Sequence, residues 1–413
     1  MNRRAQSGRW ICCQLGAREH YAVPRTLHRA GRLAGLITDA WVPSRFTRAA
    51  RLPVPGFAGL RERFHPELDA APVIAFTPSI IAFEVAHRKA DDAWRLILER
   101  NRWFQRKTVA ALKGLAKSLK RRGETDVTVF AYSYAALETL RFAKNQGWRT
   151  VLGQIDPGPV EEDIVQSEHD RHPELPSRWR RAPAEYWKLW RAETELADRI
   201  VANSEWSRRA LVQIGVAAEK IAVVPLSYEP PHEVIGEFAR EYPAAFSAAR
   251  PLRVLFLGQL TLRKGLAALL RAAAAMASKP IEFRLVGGSE LPESALLQTP
   301  NVRWFGRASR AETSEHYRRA DVFLFPTLSD GFGLTQLEAQ SWRLPIIASA
   351  FCGEVVAHER NGLLLAEPTA ERIVEALEFC LQNPHRLLDF SRRAGETSAA
   401  FHLETLHDAL QGL

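Results

Sequence analysis

Short apolar runs alternate with amphipathic stretches along most of the chain. In the first half, Trp10–Leu15, Leu36–Ala40, Val127–Ala131, Thr150–Gln154, Arg199–Ala202 and Ile221–Val224 read as buried strands. Between them His20–Ala30, Asp92–Arg122, Tyr134–Asn145, Glu185–Leu196 and Ser207–Ile214 carry helical periodicity, and Gly114 predicts a break in the longest. Pro157–Pro183 is polar and proline-rich, the pattern of a long loop or lid. Ser227–Pro251 holds Pro230, Pro231, Pro243 and Pro251, lacks β patterning, and reads as a connection between domains.

A second series begins at Arg253. Its strands are Val254–Leu257, Glu282–Val286, Val302–Trp304, Val322–Phe325 and Ile346–Ala348. Its helices are Leu266–Ala277, Arg310–Arg319, Leu334–Trp342 and Ala370–Leu381, and Pro384–Leu413 is mostly helical and amphipathic. Strands that alternate with helices form parallel sheets covered on both faces. Two such series predict an α/β protein of two doubly wound parallel-sheet domains facing across a ligand cleft. The boundaries fall at 1–228 for an acceptor-side domain, 229–251 for the linker, 252–390 for the second domain and 391–413 for a helical tail.

Composition agrees with this division. A chain of 413 residues is too long for one ordinary core, and 46% apolar content is globular. No apolar run reaches the length of a membrane span. Arg3, Arg4 and Arg9 precede only a short apolar stretch, Trp10–Cys13, so the N-terminus does not read as a signal peptide. Cys12, Cys13, Cys352 and Cys380 lack metal-ligand spacing and read as buried reduced thiols of a cytoplasmic protein. The net charge is +9, and basic residues crowd Arg88–Arg122. That face is either a solvated helix surface or a peripheral contact with anionic lipid on the inner face of the plasma membrane. Nucleic acid is not expected as a partner, because no nucleic-acid module is present.

The chemistry lies at strand-to-helix turns of the second series. Gly258-Gln-Leu-Thr-Leu-Arg263-Lys264-Gly265 follows a strand and opens a helix. Two full cations beside a helix N-terminus suit a diphosphate, whose charge needs neutralising as it leaves. The spacing is not that of a P-loop, and a solvated basic loop is the plainer alternative. In Ser329-Asp330-Gly331-Phe332-Gly333-Leu334, the glycines permit close backbone approach. Glu338 lies a little over one turn into the next helix, within reach of two vicinal ribose hydroxyls, and Asp330 can accept from sugar hydroxyls. An ordinary strand–turn–helix is the alternative here. Together the two turns weigh more than either alone, since both lie at the ligand-binding end of one parallel sheet. Gly287-Gly288-Ser289 marks another such turn, near the base, and Glu354 reads as a helix-start carboxylate with no catalytic role.

These pieces resemble the nucleotide-sugar-binding domain of family 4 retaining glycosyltransferases, which have the GT-B fold of two Rossmann-like domains. Gly258…Arg263-Lys264-Gly265, Asp321–Pro326, Asp330-Gly-Phe-Gly-Leu…Leu337-Glu338-Ala339, Pro345–Ala348, Gly353–Val356 and Asn361–Leu364 run in the family's order across about 110 residues. Ala202–Glu205 and Lys220–Pro225 are similar to the stretch before the linker, and Gly16…His20-Tyr21 to the acceptor-side glycine turn. The resemblance implies that Lys264, with Arg263 beside it, pairs with the donor diphosphate. It places Glu338 on the ribose, Asp330 on the transferred sugar, and the amides of Gly331, Phe332, Gly333 and Leu334 against phosphate and sugar, with Gly258 at the turn. It also implies transfer of a hexose-type sugar to a glycan or lipid-linked acceptor hydroxyl. Configuration would be retained, by front-face attack assisted by the leaving phosphate. No cofactor is expected beyond the nucleoside diphosphate sugar substrate, and no metal. A C-terminal helix would return to the first domain. Two positions depart from the family pattern: Gln259 stands where Arg is frequent, and Asp330 where the first glutamate of a pair is usual.

On the acceptor side, Gly16 and His20 are candidates for the cleft, although a histidine there also fits an ordinary helix position. Asp156 is either a base facing the acceptor hydroxyl or the start of the turn before Pro157, and the turn is favoured; Glu161 and Glu162 share that ambiguity. Two rival readings of the chain are a GT-B nucleotide-sugar epimerase and a non-catalytic glycan- or membrane-binding protein on a transferase scaffold. The donor nucleotide, the sugar and the acceptor are not specified by any motif.

Overall fold

The computed structural model of the protein describes residues 8–43, 60, 63–88, 90–230 and 238–413. Among them, β-branched and aromatic runs form strands β1 (Arg9–Gln14), β2 (Leu33–Thr38), β3 (Val73–Ala75), β4 (Val127–Tyr132), β5 (Arg149–Gln154), β6 (Arg199–Ala202) and β7 (Ile221–Val223). They make one sheet in the order β3-β2-β1-β4-β5-β6-β7. The second sheet contains β8 (Leu252–Leu257), β9 (Ile281–Val286), β10 (Val302–Trp304), β11 (Val322–Phe325), β12 (Ile346–Ser349) and β13 (Gly362–Leu365). Its order is β10-β9-β8-β11-β12-β13. Every strand pair in both sheets is parallel.

Parallel sheets with helices on both faces bury both sides of each strand. All six residues of β4 and all four of β11 and β12 are accordingly buried. Strand order reverses at β1/β4 in the first sheet, where Ile11 pairs with Val129, and at β8/β11 in the second, where Val254 pairs with Val322. Crevices open outside the carboxyl ends of strands at such reversals. The two reversals therefore determine where each domain presents its ligand face.

Several elements differ from their sequence expectation. Pro157–Pro183 is not loop throughout: Pro159–Arg171 is helical, with Pro in its first turn, where a missing N–H costs nothing, and Glu161 and Glu162 in the same turn. The helix Ala93–Arg121 runs through Gly114 without a break, because Leu98, Trp103, Phe104, Leu112 and Leu119 bury one continuous face. That packing outweighs the cost of about 1 kcal/mol for an exposed helical glycine. β3, the helix Thr77–Ala86 and β13 are additional elements. β3 is a half-buried strand of three residues at the sheet edge, too short for a period-2 signal. The first helix begins at Ala22, because Glu19, His20 and Tyr21 hold positive φ angles of 51°, 50° and 61°. Likewise Tyr134 has φ 76° and its helix begins at Leu137.

The chain returns to its start. Leu403, Leu406 and Leu410, on one face of the helix Leu403–Gln411, join Trp10, Leu27 and Leu36 in the core of the first sheet. Tyr228 N–H donates to the Phe401 carbonyl at 2.8 Å, so the outgoing and returning segments of the linkage touch at this point.

Candidate active site

Two glycines, one closing the turn after β8 and one following β9, bring the basic turn into place. Gly265 has φ 76°, and a Cβ on it would overlap the Pro326 carbonyl, so only glycine lets the turn after β8 lie against the turn after β11. In the same way Gly287 passes over the Gly258 carbonyl with no room for a side chain. The turns are then stitched together: Leu328 N–H donates to the Arg263 carbonyl at 2.9 Å, and Arg263 Nη1 donates to the Ser329 carbonyl at 3.0 Å.

Lys264 is drawn into this junction. Its ammonium pairs with Asp330 and lies 4.9 Å from the centre of the Phe325 ring. Burial pushes its pKa well below the usual lysine range, the neighbouring Arg263 pushes the same way, and Glu161 opposes them. A cation so placed demands a negative partner. Asp330 supplies it here, and Arg263 lies 3.9 Å from the same carboxylate.

The residues after Asp330 divide between site and core. Phe332 is 2% exposed and packs at 5.8 Å against Phe401, so its side chain anchors the turn from behind. Gly333 takes φ 84° and Gly353 abuts the Phe332 ring; Gly331 and Phe332 are buried in the turn, while Gly333 and Leu334 are half-buried. The helix that follows spans Thr335–Ser341, shorter at both ends than the periodicity suggests. Glu338 is held in it by the buried Tyr317, whose hydroxyl donates to Oε2 at 2.8 Å.

The first domain meets this surface directly. Glu161 Oε2 accepts from Ser329 Oγ at 3.0 Å and Oε1 lies 3.4 Å from Arg263 Nη1. Burial raises the Glu161 pKa, and Arg263 pulls it back. Trp206 Nε1 donates to Ser329 Oγ at 3.1 Å, and its ring sits edge-on to Phe351 at 5.0 Å. Ser207 Oγ donates to the Gly331 carbonyl at 3.4 Å. Glu354 starts no helix of its own. It accepts from the Glu205 N–H at 3.0 Å, the first residue of the helix Glu205–Gln213 in the opposite domain. The dipole interaction expected of it is therefore made across the cleft.

Between the domains lies a cavity of ≈ 320 Å³. Gln259, Thr261, Leu262 and Arg263 form one wall, and Asp156, Glu161, Glu162 and a set of aromatic rings form the other. Asp156 Oδ1 accepts from the Tyr134 hydroxyl, from Gln154 Nε2 at 3.2 Å and from Gly158 N–H at 2.9 Å. It thus both begins the turn and faces the cavity. Gly16 and His20 sit beyond the carboxyl end of β1 and do not line it; Gly16 N–H donates to Asp39 at 2.9 Å. Tyr134 and Trp206 escaped sequence reasoning and Ser329, within the donor-side turn, was given no role, since their roles come from contacts 22 to 168 residues away in the chain. Among the described residues, no group of three or more His, Cys, Asp or Glu is placed to hold a metal ion.

Residues 77–229 match the family model described as Glycosyltransferase Family 4, and residues 251–383 match Glycosyl transferases group 1. The chain belongs to the family 4 glycosyltransferases. A D-inositol 3-phosphate glycosyltransferase of Kineococcus radiotolerans is 30% identical over 244 residues, 50% of this chain and 54% of that one. The chain thus spans about half the length of the curated relatives it matches. Among solved structures, sucrose-phosphate synthase from Thermosynechococcus elongatus superposes with a TM-score of 0.64 at 18% identity, covering 98% of this chain and 97% of that one. HepE from Anabaena, solved in complex with UDP, gives 0.60 at 15% identity, with 98% of each chain covered. These likenesses give the family 4 member a GT-B fold, in agreement with its two doubly wound sheets.

Proposed function

We propose that the protein is a retaining glycosyltransferase that moves a hexose-type sugar from a nucleoside diphosphate sugar to an acceptor hydroxyl, in glycan, polysaccharide or glycolipid synthesis. The observation that carries this reading is the convergence of Arg263, Lys264 and Asp330 at the carboxyl ends of β8 and β11, with Gly331 to Leu334 and Glu338 following Asp330 in the same turn and helix. Lys264 and Arg263 neutralise the diphosphate as the glycosidic bond breaks, which is stabilisation aimed at charge that develops in the transition state. Glu338, already oriented by Tyr317, takes the ribose hydroxyls. Asp330 leaves Lys264 to the diphosphate and turns to the sugar. Neutralisation by two side-chain cations makes the reaction metal-independent in this reading.

The cavity beside Gln259 and Arg263 supports transfer over epimerisation, because an acceptor needs a second compartment and an epimerase acting on the donor alone does not. The Anabaena relative solved with UDP and with UDP-glucose supports a nucleotide sugar as donor.

Peripheral contact with anionic lipid at the cytoplasmic face completes the proposal. Arg95, Arg100, Arg102 and Arg122 pair with Glu99, Glu84, Glu185 and Glu124, which narrows the basic surface of this helix to Arg106, Lys107, Lys113, Lys117, Lys120 and Arg121, all exposed. No helix among the described residues is long and apolar enough to cross a membrane. Flotation with anionic liposomes at low and high salt tests this contact; binding that salt does not weaken, or no binding, removes it. For the activity, titration calorimetry with UDP, GDP, ADP and dTDP sugars is the test. One of them binds to the parent protein and about 10- to 100-fold more weakly to Lys264→Ala; failure of all four to bind sinks the reading.

A further inference from the structure

The cavity between the domains has a composition that the transfer reading does not by itself require. Tyr134 and Tyr186 stack with ring centres 4.8 Å apart and planes inclined at 13°. Trp94 stands edge-on to Tyr186 at 4.9 Å, and Trp187 at 5.1 Å. These rings come from separate elements: the helix Ala93–Arg121, the turn after β4, and the helix Ala184–Leu196. Each is half-buried, so part of its surface belongs to the cavity wall. Hydrogen bonds fix the ring planes, with Trp94 Nε1 donating to the Arg180 carbonyl at 2.9 Å and Trp187 Nε1 to Glu162 Oε2 at 3.0 Å.

The polar part of the wall is acidic. Among the described residues, Asp156, Glu161, Glu162 and Glu290 line the cavity against the single cation Arg263. Arg263 faces Glu161, and Arg181 lies 3.3 Å from Glu162. Among the described residues Asp156 has no such partner: its three hydrogen bonds there come from neutral groups, and all go to Oδ1. Oδ2 keeps its acceptor capacity for a ligand hydroxyl.

From this we infer that the acceptor is an uncharged pyranose, seated against Tyr186 and Trp94 with a hydroxyl donated to Asp156. The inference rests on the transfer reading and names the acceptor class for it. A pyranose is amphipathic in the manner the cavity matches, with an apolar C–H face for a ring and a rim of hydroxyls for carboxylates. A volume of ≈ 320 Å³ is at the small end of ligand pockets and suits one sugar ring, not a lipid chain. A phosphorylated acceptor is disfavoured, because its charge would face Asp156 in a half-buried site where like charges repel strongly. In this respect the chain parts from the relatives named for D-inositol 3-phosphate. The seat also lies beside Gln259 and Arg263, so the hydroxyl is presented to the donor turn from the acceptor side.

Ligand-observed saturation-transfer NMR on the full chain, with and without the nucleotide selected by calorimetry, tests this. The probes are the methyl α-glycosides of glucose, galactose and mannose, the corresponding 6-phosphates, and myo-inositol 3-phosphate. At least one neutral glycoside is expected to receive saturation on its ring C–H protons, and no phosphate is expected to bind more tightly. Tyr186→Leu, which keeps apolar bulk and loses the flat ring, weakens the glycoside at least about tenfold. Tyr186→Phe restores it, and nucleotide affinity is the same in both variants. Tighter binding of a phosphate, binding of no neutral glycoside, or an undiminished signal in Tyr186→Leu overturns the inference. If glycosides bind as expected but no nucleotide does, the sugar seat stands and the transfer reading falls.

Discussion

Lys264 and Asp330, 66 residues apart in the chain, pair directly across the junction of the two donor-side turns. The buried ammonium is thereby satisfied before any substrate arrives, and a diphosphate has to compete with the carboxylate for it. Removing the ammonium and removing its competitor should therefore act in opposite directions on nucleotide binding. Lys264→Ala is expected to lose about 10- to 100-fold in nucleoside diphosphate affinity, the range for a charge-assisted hydrogen bond. Asp330→Asn is expected to bind the nucleotide a few-fold more tightly, by about half a kcal/mol or more, while turnover falls. Calorimetry and a coupled nucleotide-release assay read both; weaker nucleotide binding in Asp330→Asn would show that the pair does not compete.

Gly331 presses on the opposite domain. A Cβ there would overlap the Ile155 carbonyl, while its φ lies outside the left-handed region, so the residue is needed for approach and not for conformation. Gly331→Ala should leave each domain folded and keep them apart. A melting temperature close to the parent's, a larger radius of gyration by small-angle scattering, and a fall in turnover of about 100-fold are the expected results. Normal turnover would mean that this approach is not part of the reactive state.

Glu193 organises the turn that carries Tyr134. Its carboxylate accepts from the backbone N–H groups of Tyr134 and Ala136 at 2.7 Å each and of Leu137 at 3.1 Å. Burial nevertheless dominates and raises its pKa to about 7, with those three bonds opposing. A carboxyl whose folded pKa is raised binds its proton more tightly in the folded state. Its stabilising contribution is full below the ordinary value of 4.5 and is lost as pH rises through about 7. The melting-temperature advantage of the parent over Glu193→Gln should therefore be larger at about pH 5 than at about pH 8. A difference that is flat or grows with pH would contradict the assignment.

All four cysteines are buried. Burial pushes the Cys352 and Cys380 thiols up to about 12 and raises Cys12 and Cys13 as well. Since the thiolate is the reactive form, a thiol reagent at about pH 8 should label none of them in the native protein and all of them after unfolding. Rapid labelling of the native chain would mean that one of these sites opens locally.

Legibility from sequence followed locality. β8 with Gly258 to Gly265, and β11 with Asp330 to Glu338, are contiguous strand–turn–helix units whose glycines and charges act where they stand. The unbroken Ala93–Arg121 was hidden because a glycine signal is weak beside burial of an apolar face, and Pro159–Arg171 because a proline that reads as a breaker is tolerated in the first turn of a helix. Glu161, ambiguous in sequence, became the residue that touches Ser329 and lies near Arg263 only once the two domains met.

The order of apolar runs, by itself, determined the doubly wound sheets and the donor-side turns, because period and turn chemistry are local properties of a chain. Which residues face one another across the cleft was decided by tertiary structure alone. The aromatic rings beside Asp156, the pairing of Lys264 with Asp330 and the approach of Gly331 to Ile155 all join distant segments. No local pattern encodes such contacts: the first two exist because strand order within one sheet brings distant turns together, and the third because the two sheets present their carboxyl ends to the same cleft.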